Sequence, residues 1–147
     1  PAVVVPCGGG GLASGIALAL PGSRIVAVEP EGWDDMRRSL ELGEIVGIEP
    51  DPPATLCDAL QTPLVSPSTY RILSRRGGTA LAVSDEEVKD AMRFAWQAHG
   101  LVVEPGGAVA LAALLSGKVE PAEGTVAVLS GGNVDPALHA RIVERQA

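Results

Sequence analysis

Short β-branched runs alternate along the chain with segments whose apolar residues recur at helical spacing. Such alternation is the sequence signature of βαβ units, and runs that are apolar throughout indicate strands buried on both faces of a parallel sheet. The pattern predicts an α/β fold in which helices cover both faces of a mostly parallel, twisted sheet. Strands are predicted at residues 2–6, 24–29, 79–83 and 125–129.

The sequence signals that mark the ends of the helices differ in strength. After Ser84, a capping box formed with Glu87 precedes apolar residues at helical spacing, which makes this start the best defined. In the last helix, Asp135 is the predicted N-cap, Pro136 the first helical residue, and Arg145 a favourable charge near the C-terminal end. Other predicted elements are helices at residues 12–20 and 34–42, a buried helix at 108–115, and a proline-rich surface loop at 47–67 with a short ordered segment at 56–60.

The composition is that of an ordinary globular domain of 147 residues, 46% of them hydrophobic and 20% charged. The formal net charge of −7 and the absence of a Lys/Arg cluster argue against nucleic-acid binding, which requires concentrated positive charge. The most apolar region, residues 101–115, is interrupted by Glu104 and Pro105, so no membrane-spanning segment is predicted. Cys7 and Cys57 lack a CxxC spacing, which favours free thiols and a cytoplasmic location.

Four glycines, Gly8 to Gly11, stand between a predicted strand and a predicted helix. At such a position the backbone N–H groups of the loop and of the helix start face a bound anion, and glycine lets a phosphate approach the backbone closely. The absence of a following Lys-Ser/Thr pair excludes a Walker A loop. Gly8, Gly10 and Ala13 also satisfy the dinucleotide pattern GxGxxG/A, with Glu29 about twenty residues further on. These residues alone therefore do not show which kind of ligand carries the phosphate.

A second glycine motif, SGGNVD at residues 130–135, follows the last predicted strand and precedes the last helix. Because the carboxyl ends of parallel strands lie at one edge of a sheet, the Ser130 hydroxyl is expected at the same edge as the first glycine loop. A turn closed by an Asp135 cap explains the same residues without a ligand.

Four motifs occur in the order in which a known family carries them: VPCGGGGL at residues 5–12, VEP at 28–30, VEPGGA at 103–108 and LSGGNVD at 129–135. In these motifs the chain resembles the fold type II pyridoxal-phosphate (PLP) enzymes, which include the serine/threonine dehydratases and serine racemase. The resemblance implies the tryptophan synthase β-like fold, of which residues 1–147 would form the C-terminal part of the PLP-binding domain.

The resemblance also implies roles for single residues. Ser130 would bond to the pyridine nitrogen of PLP, and because a hydroxyl is neutral, the ring would be a weaker electron sink than one held by an aspartate. Glu104 would lie near the ring edge, although capping of the following helix explains it equally well. The backbone N–H groups that would hold the PLP phosphate are those of Gly8, Gly9, Gly10, Gly11 and Leu12.

Carboxylates follow the end of the second predicted strand, and hard cations such as Mg²⁺ and Ca²⁺ prefer oxygen ligands of this kind. In serine racemase-like members of the family, a Glu, a backbone carbonyl and an Asp bind a cation, and the corresponding positions here are Glu29, Trp33 and Asp35. Carboxylates that stabilise the start of the next helix are the alternative explanation.

The Schiff-base lysine that the family carries in its N-terminal half has no counterpart here. Lys89 and Lys118 are the only lysines, and neither stands in a Ser-Phe-Lys-like segment. With the apolar run that opens the chain, this predicts a C-terminal half that is inactive alone. The resemblance implies that the whole enzyme converts L-threonine or L-serine into a 2-oxo acid and ammonia, as a dimer or tetramer. The alternatives are serine racemase-like activity, an NAD-binding oxidoreductase, and a lysine-less, non-catalytic remnant of the PLP fold.

Overall fold

The computed structural model describes residues 1–144, and Arg145, predicted near the end of the last helix, lies outside them. The strands in this part of the chain are β1 (Ala2–Pro6), β2 (Arg24–Pro30), β3 (Thr79–Val83) and β4 (Val126–Ala127). They form one sheet in the order β3-β2-β1-β4, and every neighbouring pair is parallel. The predicted α/β class and parallel sheet are therefore confirmed.

The helices agree with the predicted ones except for one additional helix and an earlier start of the helix predicted at 108–115. Residues 67–75 form a helix that the sequence pattern did not predict, because only a surface loop was expected up to Pro67. Its start has a physical explanation: the Ser66 side chain accepts a hydrogen bond from Thr69 N, and Pro67 occupies the first turn. The helices of the described chain are α1 (Gly11–Ala19), α2 (Asp35–Leu42), α3 (Pro67–Arg75), α4 (Asp85–His99), α5 (Pro105–Leu115) and α6 (Pro136–Val143), with a short 3-10 helix at Asp58–Leu60.

Helix α5 begins three residues before the predicted buried helix and includes two glycines. A Cβ atom on Gly107 would lie 2.7 Å from the carbonyl oxygen of Gly131, and one on Gly106 would lie 3.2 Å from a side-chain carbon of Leu60. Glycine is present here because the helix packs directly against neighbouring backbone and side chains. The predicted start at residue 108 was wrong for this reason.

Alternate residues of the central strands point into two separate cores, as expected for a sheet covered on both faces. Val4 and Val28 face one core, whereas Val5 and Ile25 face the other. The helices are divided between the same two faces, which confirms the predicted arrangement. Helical residues of the first core include Met92, Val109 and Ile142, and those of the second include Ala13, Met36 and Leu73.

Two expectations from composition can be compared with the structure. Cys7 and Cys57 are both free and buried, as predicted from their spacing. None of the helices in residues 1–144 combines the length and the apolar character needed to cross a bilayer.

Candidate cofactor-binding site

The first glycine loop joins β1 to α1 and carries a row of unpaired backbone N–H groups. Gly10, the N-cap of α1, has a φ of 86°, in the left-handed region that glycine adopts without a steric penalty. No described residue accepts a hydrogen bond from the backbone N–H groups of residues 8–12. These donors lie at the positive end of the α1 dipole, which is an arrangement that binds a phosphate.

Two threonines pack against this loop. Thr69 of α3 donates a hydrogen bond from Oγ1 to the carbonyl oxygen of Gly9 over 2.7 Å. Thr62 lies against Gly8, since a Cβ atom on Gly8 would come within 2.9 Å of Thr62 Oγ1. The sequence gives no signal for either threonine, because only the folded chain brings residues 62 and 69 next to the loop.

The second glycine motif lies beside the first because β4 pairs with β1. Val128 N donates a hydrogen bond to the carbonyl oxygen of Val4 over 2.9 Å. Continuing this register places Ser130 at the level of Cys7, directly before the first loop. The Ser130 residue is exposed, and its hydroxyl forms no hydrogen bond with any described residue. The hydroxyl is therefore free to contact a ligand at the carboxyl edge of the sheet.

Glu104 holds the second loop and does not cap α5 through its side chain. It occupies the N-cap position but makes no capping hydrogen bond. Instead, its Oε2 accepts a bond from Asn133 N at 2.9 Å, and its backbone N donates to the carbonyl oxygen of Gly131 at 3.0 Å. A Cβ atom on Gly131 would lie 2.6 Å from Glu104 Oε1, so the loop needs glycine there. The capping explanation was wrong, and Glu104 supports the loop that carries Ser130.

Glu29, a residue of the predicted cation site, is fully buried at the carboxyl end of β2. Its two oxygens accept backbone bonds from the start of α2, Oε1 from Met36 N at 2.9 Å and Oε2 from Arg37 N at 2.8 Å. Burial raises the pKa of Glu29 to about 8, although these two amides act to lower it. Because the carboxylate is fully buried against the start of α2, a group as large as a ribose cannot reach it. The dinucleotide interpretation thereby loses its acidic residue.

Asp35 has one oxygen that no described residue satisfies. Its Oδ2 accepts a bond from Val65 N over 2.6 Å, whereas Oδ1 is buried without a partner. Burial raises the pKa of this carboxyl group to about 6. Trp33 lies in the turn between Glu29 and Asp35, and its Nε1 donates to the carbonyl oxygen of Pro53 over 2.8 Å. No group of three or more His, Cys, Asp or Glu side chains within residues 1–144 is placed to hold a metal ion.

Both lysines are held by carboxylates. Lys89 pairs with Glu86 on the surface of α4 at 2.5 Å. Lys118 contacts Glu87 Oε2 at 2.8 Å and donates to the carbonyl oxygen of Ala82 at 3.0 Å, beside the edge strand β3. A lysine that forms a Schiff base needs an amine that is free to reach the aldehyde, whereas both amines here contact carboxylates.

Comparison with known proteins decides the family. The family model described as "Pyridoxal-phosphate dependent enzyme" matches residues 1–131, which include the first glycine loop and Ser130. The chain belongs to this family. The resemblance and the fold predicted from the four motifs are therefore confirmed, and PLP is the cofactor that the family supports. The unpaired N–H groups of the first loop fit its phosphate, because they are donors without another acceptor.

Individual relatives cover nearly all of this chain but only part of their own length. The L-threo-3-hydroxyaspartate ammonia-lyase of a Pseudomonas species is 39% identical over 97% of this chain and 46% of the relative. The serine racemase of Dictyostelium discoideum is 36% identical over 91% and 43%, respectively. Among solved structures, the T.th. threonine deaminase has a TM-score of 0.84 and 40% identity, covering 91% of this chain and 50% of that one. Maize serine racemase has a TM-score of 0.84 and 33% identity, covering 95% and 45%. The chain thus spans about half the length of these relatives, or slightly less.

Proposed function

We propose that this chain is the phosphate-holding part of a PLP-dependent ammonia-lyase, whose whole form converts L-threonine, L-serine or a related β-hydroxy amino acid into a 2-oxo acid and ammonia. One observation carries the proposal. The unpaired N–H groups of residues 8–12 and the free hydroxyl of Ser130 follow adjacent parallel strands at the same edge of the sheet. PLP has a phosphate group and a ring nitrogen, which are the partners that these two kinds of group would bind.

Each of these residues would have a separate task. The N–H groups of residues 8–12, assisted by the dipole of α1, would bind the phosphate and thereby fix the position of the ring. Ser130 would form a hydrogen bond with the ring nitrogen, and Glu104 would position Ser130 through the backbone of its loop. When bound, PLP supplies electron withdrawal at the substrate Cα. A neutral hydroxyl at the ring nitrogen keeps that withdrawal modest, which suits elimination of a β-hydroxyl group.

The relatives support a substrate class and not one substrate. They include an L-threo-3-hydroxyaspartate ammonia-lyase, a β-hydroxyaspartate dehydratase, a phenylserine dehydratase and an L-threonine ammonia-lyase, all 33–40% identical to this chain. The amino acids in these names share an α-amino group and a β-hydroxyl group and differ in the rest of the side chain. We therefore propose β-hydroxy α-amino acids as the substrate class.

We further propose that the Schiff-base lysine belongs to a part of the whole enzyme outside residues 1–147. The support is that the chain spans about half the length of its relatives and that Lys89 and Lys118 are paired with carboxylates. The fragment alone should then bind PLP reversibly and form no adduct that survives borohydride reduction. As the family resemblance implies, the whole enzyme would be a dimer or tetramer.

A structural cation, Mg²⁺ or Ca²⁺, is a second proposed ligand, held by Glu29, the carbonyl of Trp33 and Asp35. The buried, unpartnered Oδ1 of Asp35 favours it, since a buried carboxylate oxygen is costly unless a donor or a cation satisfies it. Adding either cation to protein treated with EDTA should raise the melting temperature by several degrees, and Asp35→Asn should abolish the rise. An unchanged melting temperature in the unsubstituted protein would exclude the ion.

The function is tested by replacing Ser130 in the whole enzyme. Release of 2-oxo acid and ammonia is measured with L-serine, L-threonine and L-threo-3-hydroxyaspartate, and D-serine is measured in parallel. Ser130→Ala should lower kcat about tenfold, the value of one hydrogen bond to the ring. Ser23→Ala is the matched control and should leave kcat unchanged, because Ser23 directly precedes β2, at the edge of the sheet opposite to the glycine loops. Absence of ammonia from all three amino acids would refute the proposal, and D-serine formed without ammonia would favour the racemase alternative.

A further inference from the structure

A side chain of α3 binds the carbonyl group in the middle of the first glycine loop. Thr69 Oγ1 donates a hydrogen bond to the carbonyl oxygen of Gly9 over 2.7 Å, although the two residues are 60 positions apart. No other residue of the described chain donates a hydrogen bond to this oxygen. The bond therefore joins a helix that the sequence pattern did not predict to the loop that we assign to the cofactor phosphate.

Contacts on both sides hold Thr69 in place. On the α3 side, its backbone N donates to Oγ of the N-cap residue Ser66 at 3.2 Å, and its Oγ1 lies 3.1 Å from the carbonyl oxygen of Ser66. On the loop side, a Cβ atom on Gly10 would lie 2.9 Å from Thr69 Cβ. A hydroxyl group has a single proton to donate, and Gly9 is the nearer of its two carbonyl acceptors. The hydroxyl is thus directed at the loop.

The composition of the loop explains why such a contact matters. Glycine has no Cβ atom and populates a wide range of backbone conformations. The peptide group between Gly9 and Gly10 has a glycine on each side, so it rotates with little steric restraint. The glycines that let a phosphate approach the backbone closely therefore leave the direction of the N–H groups undefined, unless a neighbouring side chain fixes it.

The bond from Thr69 also determines where a neighbouring donor points. In a planar trans peptide group the C=O and the N–H point in opposite directions, and no peptide bond of the described chain is cis. Because the carbonyl group of Gly9 points to Thr69, the N–H of Gly10 points away from α3. That N–H forms no hydrogen bond with any described residue, and it is one of the donors that we assign to the phosphate.

We infer that Thr69 is a positioning residue of the cofactor site, whose hydroxyl fixes the Gly9–Gly10 peptide group so that the N–H of Gly10 faces the cofactor phosphate. The inference rests on the proposed function, because it takes the first glycine loop to be the phosphate site. Without the hydroxyl, this peptide group would rotate freely, and phosphate binding would have to order it at a cost in affinity. The ring nitrogen would be unaffected, since Glu104 holds the Ser130 loop independently of α3.

Cofactor titrations of the whole enzyme test this role. Thr69→Val keeps the shape of the side chain but removes the hydroxyl, and it should raise the Kd for PLP about tenfold, because one hydrogen bond to a charged group is weakened. The Kd for pyridoxal, which lacks the phosphate, should change less than about twofold. Thr69→Ser keeps the hydroxyl and should return the Kd for PLP to within about threefold of the unsubstituted value. A role in folding alone would affect both ligands equally.

The matched control is Thr79→Val, which should leave both Kd values unchanged. Thr79 is an exposed threonine at the start of β3, at the edge of the sheet opposite to the glycine loops. Thermal melting shows whether each variant is folded, and Thr69→Ala, which puts no methyl group against the Gly9 carbonyl, replaces Thr69→Val if the latter does not fold. An unchanged Kd for PLP in the folded variant, or equal losses for PLP and pyridoxal, would overturn this inference alone. Failure of the unsubstituted enzyme to bind PLP would overturn the proposed function and the inference with it.

Discussion

Gly11→Ala should separate cofactor binding from folding. Gly11 is the first residue of α1, and a Cβ atom there would meet no protein atom within 4 Å. Alanine is also a better helix former than glycine, so the free energy of unfolding should stay the same or rise by up to about 1 kcal/mol. The added methyl group would instead stand on the loop whose unpaired N–H groups we assign to the phosphate, where glycine allows close approach of a ligand.

The expected loss of cofactor affinity follows from those N–H groups. A hydrogen bond to a charged group contributes about 1.5–3 kcal/mol, so losing one should raise the Kd for PLP about 10- to 100-fold. Binding is followed by the change in PLP absorbance during titration of the whole enzyme. Pyridoxal, which lacks the phosphate, is the control ligand, and its Kd should not change. Gly22→Ala, another position without a neighbour within 4 Å, is the control variant.

A folded Gly11→Ala variant that binds PLP as tightly as the unsubstituted enzyme would refute this account of the phosphate site. An equal loss of affinity for pyridoxal would also contradict it, because the effect would then not depend on the phosphate.

Two further predictions concern stability. Gly10 has a φ of 86°, and a Cβ atom there would lie 2.8 Å from the Met36 side chain and 2.9 Å from that of Thr69. Gly10→Ala should therefore lower the free energy of unfolding by about 2–5 kcal/mol in urea, and a loss below about 1 kcal/mol would contradict the packing described. Burial of Glu87 acts to raise its pKa, but Lys118 and the capping box outweigh this and lower it. The resulting stability is fully present above the usual carboxyl pKa and is lost as the pH falls through the lowered pKa, so Glu87→Gln should cost about 1 kcal/mol at pH 7. The difference from the unsubstituted protein should disappear below that lowered pKa, and a difference independent of pH would refute the assignment.

The elements that the sequence predicted best are those that local interactions define. The start of α4 was predicted from Ser84 and Glu87, and both hydrogen bonds of the capping box are present. The central strand β1 was predicted with the observed boundaries, because its residues are apolar throughout and its end is marked by glycines. In both cases a few neighbouring residues contain the whole physical explanation.

The elements that were missed depend on contacts between distant residues. Helix α3 follows a proline-rich loop and is largely polar, and Leu73 is its one residue that is fully enclosed by the fold. The strand β4 was predicted over 125–129 but spans only Val126–Ala127 at the edge of the sheet, with one further bond from Val128 N to Val4. Propensity did not distinguish an edge strand from a central one.

The residues of the candidate site also include some that local sequence predicts and others that depend on contacts between distant residues. The two glycine motifs and Ser130 could be found from the sequence, because a strand, a glycine loop and a helix are adjacent in the chain. The contact of Glu104 with Asn133 N joins residues 29 positions apart, so the sequence left two explanations open and the structure excluded one of them. The cation site and the substrate stay predictions, although Glu29 and Asp35 lie at the two ends of the same turn.

We propose above all that one PLP molecule is bound by both motifs, its phosphate by the first glycine loop and its ring nitrogen by Ser130. The most direct test of this proposal is a ¹H–¹⁵N NMR titration of the isotopically labelled protein with PLP and, separately, with pyridoxal. We expect PLP to shift the backbone N–H signals of residues 8–12 and of 130–133, and pyridoxal to shift the second group only. PLP-induced shifts that leave residues 8–12 unchanged would contradict it.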